Sequence, residues 1–146
     1  MNINKASVEN STRLAPLFDA YRQFYQQAAD LKGAENYLFE RLSKEESVIF
    51  FVSEGDKLLG FTQLYPVFSS ISMKRAWVLN DLYVEASARK RGVGEFLLQR
   101  VKEFGIETGA ASVSLSTAPD NTKAQRLYER NGYQRDETFL HYELHI

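Results

Sequence analysis

The chain has 146 residues, 44% of them apolar and 25% charged, which suits one soluble globular domain over 1–146 with a real hydrophobic core. A net charge of −1 gives no general attraction to nucleic acid or an anionic membrane, though a slight acidic bias is compatible with a cationic substrate. The absence of cysteine excludes disulfides, thiolate metal sites and a cysteine nucleophile together, and a cytoplasmic setting is the natural expectation.

Met1 to Lys5 lacks the apolar centre of a signal peptide, and no run approaches the ~20 apolar residues of a membrane span. Ile3 to Ala6 reads as a short first strand. From Val8 to Ala28, Leu14, Leu17, Phe18, Tyr21, Phe24, Tyr25 and Ala28 recur at helical spacing, with Pro16 forcing a kink or a start nearby. A second helix is expected over Ala34–Leu42. Ser47–Ser53 is dense in β-formers, Gly55-Asp56 is a hairpin signal, and Leu58–Tyr65 completes the hairpin, with Pro66 ending it.

After a loop over Val67–Met73, Arg75–Val84 reads as a long central strand. The helix Gly92–Thr108 follows, carrying Val93, Leu97, Val101 and Phe104 on one stripe and closed by Gly105 or Gly109. Ser112–Ser116 is a short strand. A helix capped by Asn121 or Asp120 runs to Arg130, and Asn131-Gly132 stops it. Gln134–Ile146 is expected to finish as strand, broken near Asp136. No repeat or linker interrupts this order, which describes a mixed α/β sandwich with strands dominating its middle rather than a doubly wound βαβ alternation.

Two stretches carry chemistry. Leu79-Asn80-Asp81-Leu82-Tyr83-Val84 is an apolar strand that leads, through a short turn, into Arg89-Lys90-Arg91-Gly92-Val93-Gly94 and an amphipathic helix. Free N–H groups at such a helix start, with the positive end of the helix dipole, make an anion site, and glycines let a phosphate reach the backbone. It is not a Walker loop, since no Gly-Lys-Ser/Thr follows, and it makes a poor Rossmann fingerprint. The second stretch runs from Asn121 to Tyr133, where Ala124, Leu127 and Tyr128 share one helix face and a small residue leaves room beside the phenol.

Together the two stretches resemble motifs A and B of the GNAT N-acetyltransferase superfamily: Arg89-x-x-Gly92-x-Gly94 its pyrophosphate loop, and Asn121-x-x-Ala124-x-x-Leu127-Tyr128 its later helix. The likeness spans about residues 76–135. It implies an α/β (α+β) fold with a mixed, mostly antiparallel sheet of about six or seven strands, splayed at its central strand and flanked by about four helices. It also implies acetyl transfer from acetyl-CoA to a primary amine, without a metal. The acceptor classes it allows are a small amine, polyamine, amino acid, or a lysine or N-terminus of a peptide or protein. The N-terminal part is similar to bacterial relatives of histone and polyamine acetyltransferases.

In that resemblance Leu82, Tyr83 and Val84 line the pantetheine and thioester. Arg89, Lys90, Arg91, Gly92, Val93 and Gly94 hold the pyrophosphate. Asn121 meets the pantetheine arm, Lys123 reaches the nucleotide phosphates, and Ala124 leaves space for the cofactor. Tyr128 is the general acid: a phenol with reference pKa ~10 stays protonated at neutral pH and can give its proton to the leaving thiolate. A strand N–H near Val84 would hold the oxyanion, and without cysteine the amine attacks directly in a ternary complex.

Relatives that acetylate polyamines often carry two acids before the apolar stretch, where this chain has Asn80-Asp81. Asp81 is therefore the candidate base, directly or through water, or else a strand-end hydrogen bonder. Glu54 and Tyr25 are further candidates. Asn80 also leaves open a non-catalytic acyl-CoA-binding sensor or scaffold. Tyr21, Phe24, Tyr25, Tyr37 and Phe39, with nearby acids, could hold an amine by charge and cation–π contact, or belong to the core and a solvated face. His141 and His145 stand too far apart along a strand for one metal and read as surface or interface residues. A homodimer through the C-terminal strands is expected.

Overall fold

The computed structural model describes residues 1–146. The first element, β1 (Asn2–Lys5), pairs antiparallel with β2 (Val48–Glu54), β2 with β3 (Lys57–Ser69), and β3 with β4 (Lys74–Val84). β5 (Val113–Ser114) joins β4 in parallel, giving a five-stranded sheet in sequence order. Four helices accompany it: α1 (Ser11–Phe24), α2 (Leu31–Ser43), α3 (Val93–Glu107) and α4 (Thr122–Arg130), plus 3₁₀ turns at Val8–Asn10 and Ala86–Ala88. The mixed, mostly antiparallel α/β class agrees with expectation; the strand count is five rather than six or seven.

The contacts divide the chain into two units, Met1–Ser116 and Thr117–Ile146. In the first, β2 is buried from Ile49 to Ser53, so successive side chains feed two layers. Ile49 and Phe51 pack with Leu14, Phe18, Leu38 and Leu42 of α1 and α2. Phe50 points the other way, its ring 5.3 Å from that of Phe104 on α3, which also lies 5.0 Å from Trp77. Burying each such ring contributes roughly 1.5–3 kcal/mol.

Several boundaries differ from the sequence reading, and three of them have a plain physical cause. α1 ends at Phe24 rather than Ala28, because Gln26 turns left-handed (φ 68°) and Gln27 N closes back on Arg22 O. Pro16 sits inside α1 and does not start it. α2 begins at Leu31, three residues before the expected start, because Asp30 caps it, its carboxylate accepting from Gly33 N at 2.9 Å. β3 runs through Pro66, which lies opposite Trp77. β2 pairs no further than Leu64, so Pro66 lies where β3 has one open edge, and a missing N–H is tolerated there.

The second unit holds α4, capped by Asn121 rather than Asp120: the Asn121 side chain accepts from Ala124 N at 3.2 Å. Gly132 (φ 93°) follows it, and Tyr133 N bonds back to Tyr128 O at 3.1 Å. The expected strand over Gln134–Ile146 is absent. Its alternation is present, with Leu140, Tyr142, Leu144 and Ile146 separated by polar residues, but a strand exists only with a neighbour to take its backbone bonds. All four apolar side chains are exposed. His141 and His145 are also exposed and lie against Asp136 and Glu143 respectively, at 3.3 and 3.6 Å.

Candidate active site

The loop between β4 and α3 is built from backbone. Glu85 caps the Ala86–Ala88 turn by accepting from Ser87 N at 3.0 Å, and Arg89 Nε donates to Val84 O at 3.2 Å. Lys90 (φ 65°) and Gly92 (φ 80°) both adopt left-handed conformations, curling the main chain around Arg91. Nothing stands within 4 Å of where a Gly92 side chain would begin. The first backbone bond across this helix start is Phe96 N to Gly92 O, at 3.0 Å, so the N–H groups of Val93 and Gly94 precede it. Arg89 also lies about 6 Å from the Phe24 and Tyr83 rings, at 5.9 and 6.0 Å. Arg91 is paired with Glu54 at 2.7 Å. The donors, the dipole and the cations are those a diphosphate needs.

Residues of β4 just before this loop form a floor in which Leu79 and Asp81 are buried and Asn80 is exposed. Gln63 pairs with Asp81 but Leu64 with Leu79, so Asn80 is an extra residue, a β-bulge. The bulge changes which face the strand presents. Trp77 and Leu79 share one face by alternation, and Trp77 packs on Phe104 of α3. Past Asn80 the phase reverses, and Asp81 and Tyr83 turn toward α1, where the Tyr83 ring lies 6.0 Å from Tyr21. β5 pairs only with Trp77 and Val78, so from Leu79 to Val84 the outer edge of β4 has no strand partner. This is the splay anticipated at the central strand.

Asp81 is only 4% exposed. Its Oδ2 accepts from Gln63 Nε2 at 2.7 Å and its Oδ1 from Asn80 Nδ2 at 3.1 Å. Burial pushes its carboxyl above the ordinary carboxylate value; donation from Gln63, Tyr21 and Asn80 pulls it partly back. No cation pairs with it. Gln63 is wholly buried, and its Oε1 has no hydrogen-bond partner, an omission that costs about 1–3 kcal/mol.

Above this floor lies a cavity of about 400 Å³, the size of a small-molecule site. Phe18, Tyr21, Tyr37 and Tyr65 supply aromatic walls, and Arg22, Asp30, Asn80 and Asp81 the polar ones. Tyr37 and Tyr65 hydroxyls are 2.6 Å apart, and Arg41 lies 4.9 Å over the Tyr37 ring. Burial raises the Tyr65 phenol well above its usual range. Arg22 is held at 2.9 Å by Asp19, which also accepts from Asp30 N and so ties the end of α1 to the start of α2. Tyr21 and Tyr37, named from sequence as aromatics, both line this cavity. Tyr25 and Phe24 are exposed, and Glu54 is engaged by Arg91.

In the second unit Asn121, Lys123, Ala124 and Tyr128 are carried on α4 and its cap. Ala124, Leu127 and Tyr128 are half-buried along one face, and Lys123 is exposed. The Tyr133 ring sits 6.0 Å from Tyr128, and burial, with Tyr128 adding to it, pushes the Tyr133 phenol up to about 12. No group of three or more His, Asp or Glu side chains converges as a metal site. No helix is long and apolar enough to cross a membrane. Gln63 and Tyr65 were missed from sequence; the available signal was a glutamine at an inward position between Phe61 and Tyr65.

Comparison with known proteins shows the family and the fold. The model of the acetyltransferase (GNAT) family matches residues 14–133. The chain is 49% identical over its full length, and over 98% of the relative, to an uncharacterized N-acetyltransferase, YhfO, of Bacillus subtilis. It is 36% identical to a probable acetyltransferase of Haemophilus influenzae, over 71% of this chain and 72% of that one. A crystal structure of a probable acetyltransferase superposes with a TM-score of 0.95 at 44% identity, covering 100% of this chain and 98% of that one.

Proposed function

The chain belongs to the acetyltransferase (GNAT) family, an N-acetyltransferase family that uses acetyl-CoA as donor, and from that membership we propose direct transfer to a small primary amine in a ternary complex. The observation that carries the reading is Asp81, a buried carboxylate held by neutral donors at the floor of a cavity, with no cation of its own. An alkylammonium of pKa near ~10 must lose a proton before it can attack. Asp81 takes that proton, helped by its upward shift. The amine nitrogen would then attack the thioester carbon, and a β4 N–H near Val84 would hold the oxyanion. As the C–S bond breaks, Tyr128 would give its hydroxyl proton to the leaving sulfur, the second proton shed by the nitrogen restoring the phenol through solvent.

When bound, acetyl-CoA supplies the activated thioester. In the first unit Leu82, Tyr83 and Val84 would line its arm; in the second, Asn121 and Ala124 would meet the same donor. Arg89, Lys90, Arg91, Gly92, Val93 and Gly94 take the pyrophosphate, and Lys123 a nucleotide phosphate. Supporting this are the left-handed Gly92 and the helix start it opens. The aromatic walls favour a cation, and the cavity of about 400 Å³ favours a small one over a folded protein surface. The reading further includes a single functional domain over 1–146, a cytoplasmic location and a homodimer. The last is supported by the exposed apolar run Phe139, Leu140, Tyr142, Leu144 and Ile146; a monomeric mass in solution would refute it.

The test is release of free CoA thiol from acetyl-CoA with putrescine, tyramine, phenylalanine, kanamycin and a short peptide as acceptors. Turnover with at least one small amine is expected. A melting temperature raised by acetyl-CoA, with no turnover on any acceptor, would instead indicate a binding module. Tyr128→Phe that kept full turnover at every pH would remove Tyr128 from the acid role.

A further inference from the structure

We propose that Gln63 is a positioning residue whose side-chain amide holds Asp81 in its ionised, proton-accepting form. This deepens the reading of Asp81 as base and rests on it. Gln63 lies in the middle of β3, fully buried, and donates from Nε2 to Asp81 Oδ2 at 2.7 Å. Its Oε1 finds no donor. A glutamine serving the sheet alone would be better replaced by an apolar residue, since nothing else satisfies its buried acceptor. What this orientation secures is a donor against the carboxylate. With the amide turned over, Oε1 would face Asp81 Oδ2, oxygen to oxygen, which an ionised carboxylate cannot accept.

The bulge at Asn80 puts Gln63 and Asp81 directly opposite each other, so the contact follows from strand register rather than from a flexible side chain. Thr62 fixes the same spot from the backbone side, its Oγ1 donating to Asp81 O at 2.8 Å. The other titratable or charged groups around the cavity are Tyr21 and Arg22 of α1, Asp30 and Tyr37 at α2, and Tyr65 of β3. Arg22 is committed to Asp19, and Tyr65 to Tyr37. Gln63 gives Asp81 a hydrogen bond of 2.7 Å, against 3.1 Å from Asn80, and does so without a charge that would compete with a cationic acceptor for the carboxylate.

The experiment is a titration of the Asp81 side-chain carboxyl by ¹³C NMR in the substrate-free protein, alongside the pH profile of kcat/KM for the fastest amine of the panel above. Gln63→Met, close in shape but without a donor, should move the Asp81 midpoint up by about one pH unit. The acidic limb of kcat/KM should move with it, and the high-pH plateau should fall no more than about threefold. Gln63→Glu should raise the limb further, because two facing carboxyls share a proton. It carries the test if the Met variant does not fold.

A midpoint that stays or falls in these variants, or a rate lost equally at every pH, overturns the proposal. Asp81→Asn separates the two layers. If it keeps turnover, the base reading itself has failed. If it abolishes turnover while Gln63→Met or Gln63→Glu leaves the titration unmoved, only the role of Gln63 has failed.

Discussion

The Arg89–Gly94 loop, proposed to take the pyrophosphate, and the cavity floor adjoin on one strand and turn, yet they are made in opposite ways. Arg89–Gly94 is exposed except for the buried Val93 and half-buried Gly94, and is shaped by main-chain geometry: two left-handed residues and a helix start. The floor is made of side chains, with Gln63 and Asp81 buried where β3 pairs with β4 and Asn80 exposed beside them. An exposed loop can be tuned for affinity at small cost to the fold. A buried carboxylate among neutral donors costs stability, and on the proposed reading its return is chemical. Substitutions in the two regions should therefore separate into effects on binding and effects on rate.

The largest separation is expected from Asp81→Asn, which should lower kcat at least about 100-fold while leaving the KM for acetyl-CoA within about twofold. Its stability should move the other way. The Asp81 carboxyl lies above its ordinary value of 3.8 in the fold. Between that value and the raised one the folded chain binds more protons than the unfolded chain, so stability falls as pH rises through the window. The amide removes that slope, so at pH 7 the variant should melt at the same temperature as the parent or higher. A clear drop in melting temperature would mark Asp81 as structural.

Gly92→Val tests the other region. A β-branched residue at φ 80° is strained by roughly 1–2 kcal/mol, and the acetyl-CoA KM should rise about tenfold with kcat nearly unchanged. A matching fall in kcat would mean that the loop and the floor do not act separately. A smaller effect is expected from Tyr65→Phe, which removes the 2.6 Å bond to Tyr37. It should cost about 1 kcal/mol in thermal unfolding and raise the amine KM a few-fold without touching the acetyl-CoA KM. Smallest is the response to salt: raising ionic strength from 0.05 to 0.3 M should weaken acetyl-CoA binding about two- to threefold through screening at the exposed loop, and leave the Asp81 midpoint in place.

The same contrast explains what the sequence could disclose. Gly92, Gly94 and the basic run are a local pattern, and local patterns survive in one dimension; so do the cap at Asp120 or Asn121 and the run of β-formers that makes β2 a strand. The pairing of Gln63 with Asp81 depends on a single extra residue at Asn80, and a bulge leaves no mark in the order of side chains. From the chain alone Asp81 could be named as a candidate base but not its partners, nor the cavity above it. The C-terminal segment teaches the converse. Leu140, Tyr142, Leu144 and Ile146 have the alternation of a strand, but alternation is a condition for a strand and pairing is another. Here the first holds without the second.

The most direct test of Asp81 as the proton acceptor is the pH dependence of kcat/KM for acetyl transfer, set beside the Asp81 carboxyl titration in the same protein. The two midpoints should coincide above 3.8, and the acidic limb should vanish from the residual activity of Asp81→Asn. An acidic limb that persists unshifted in that variant would contradict the assignment and move the base elsewhere.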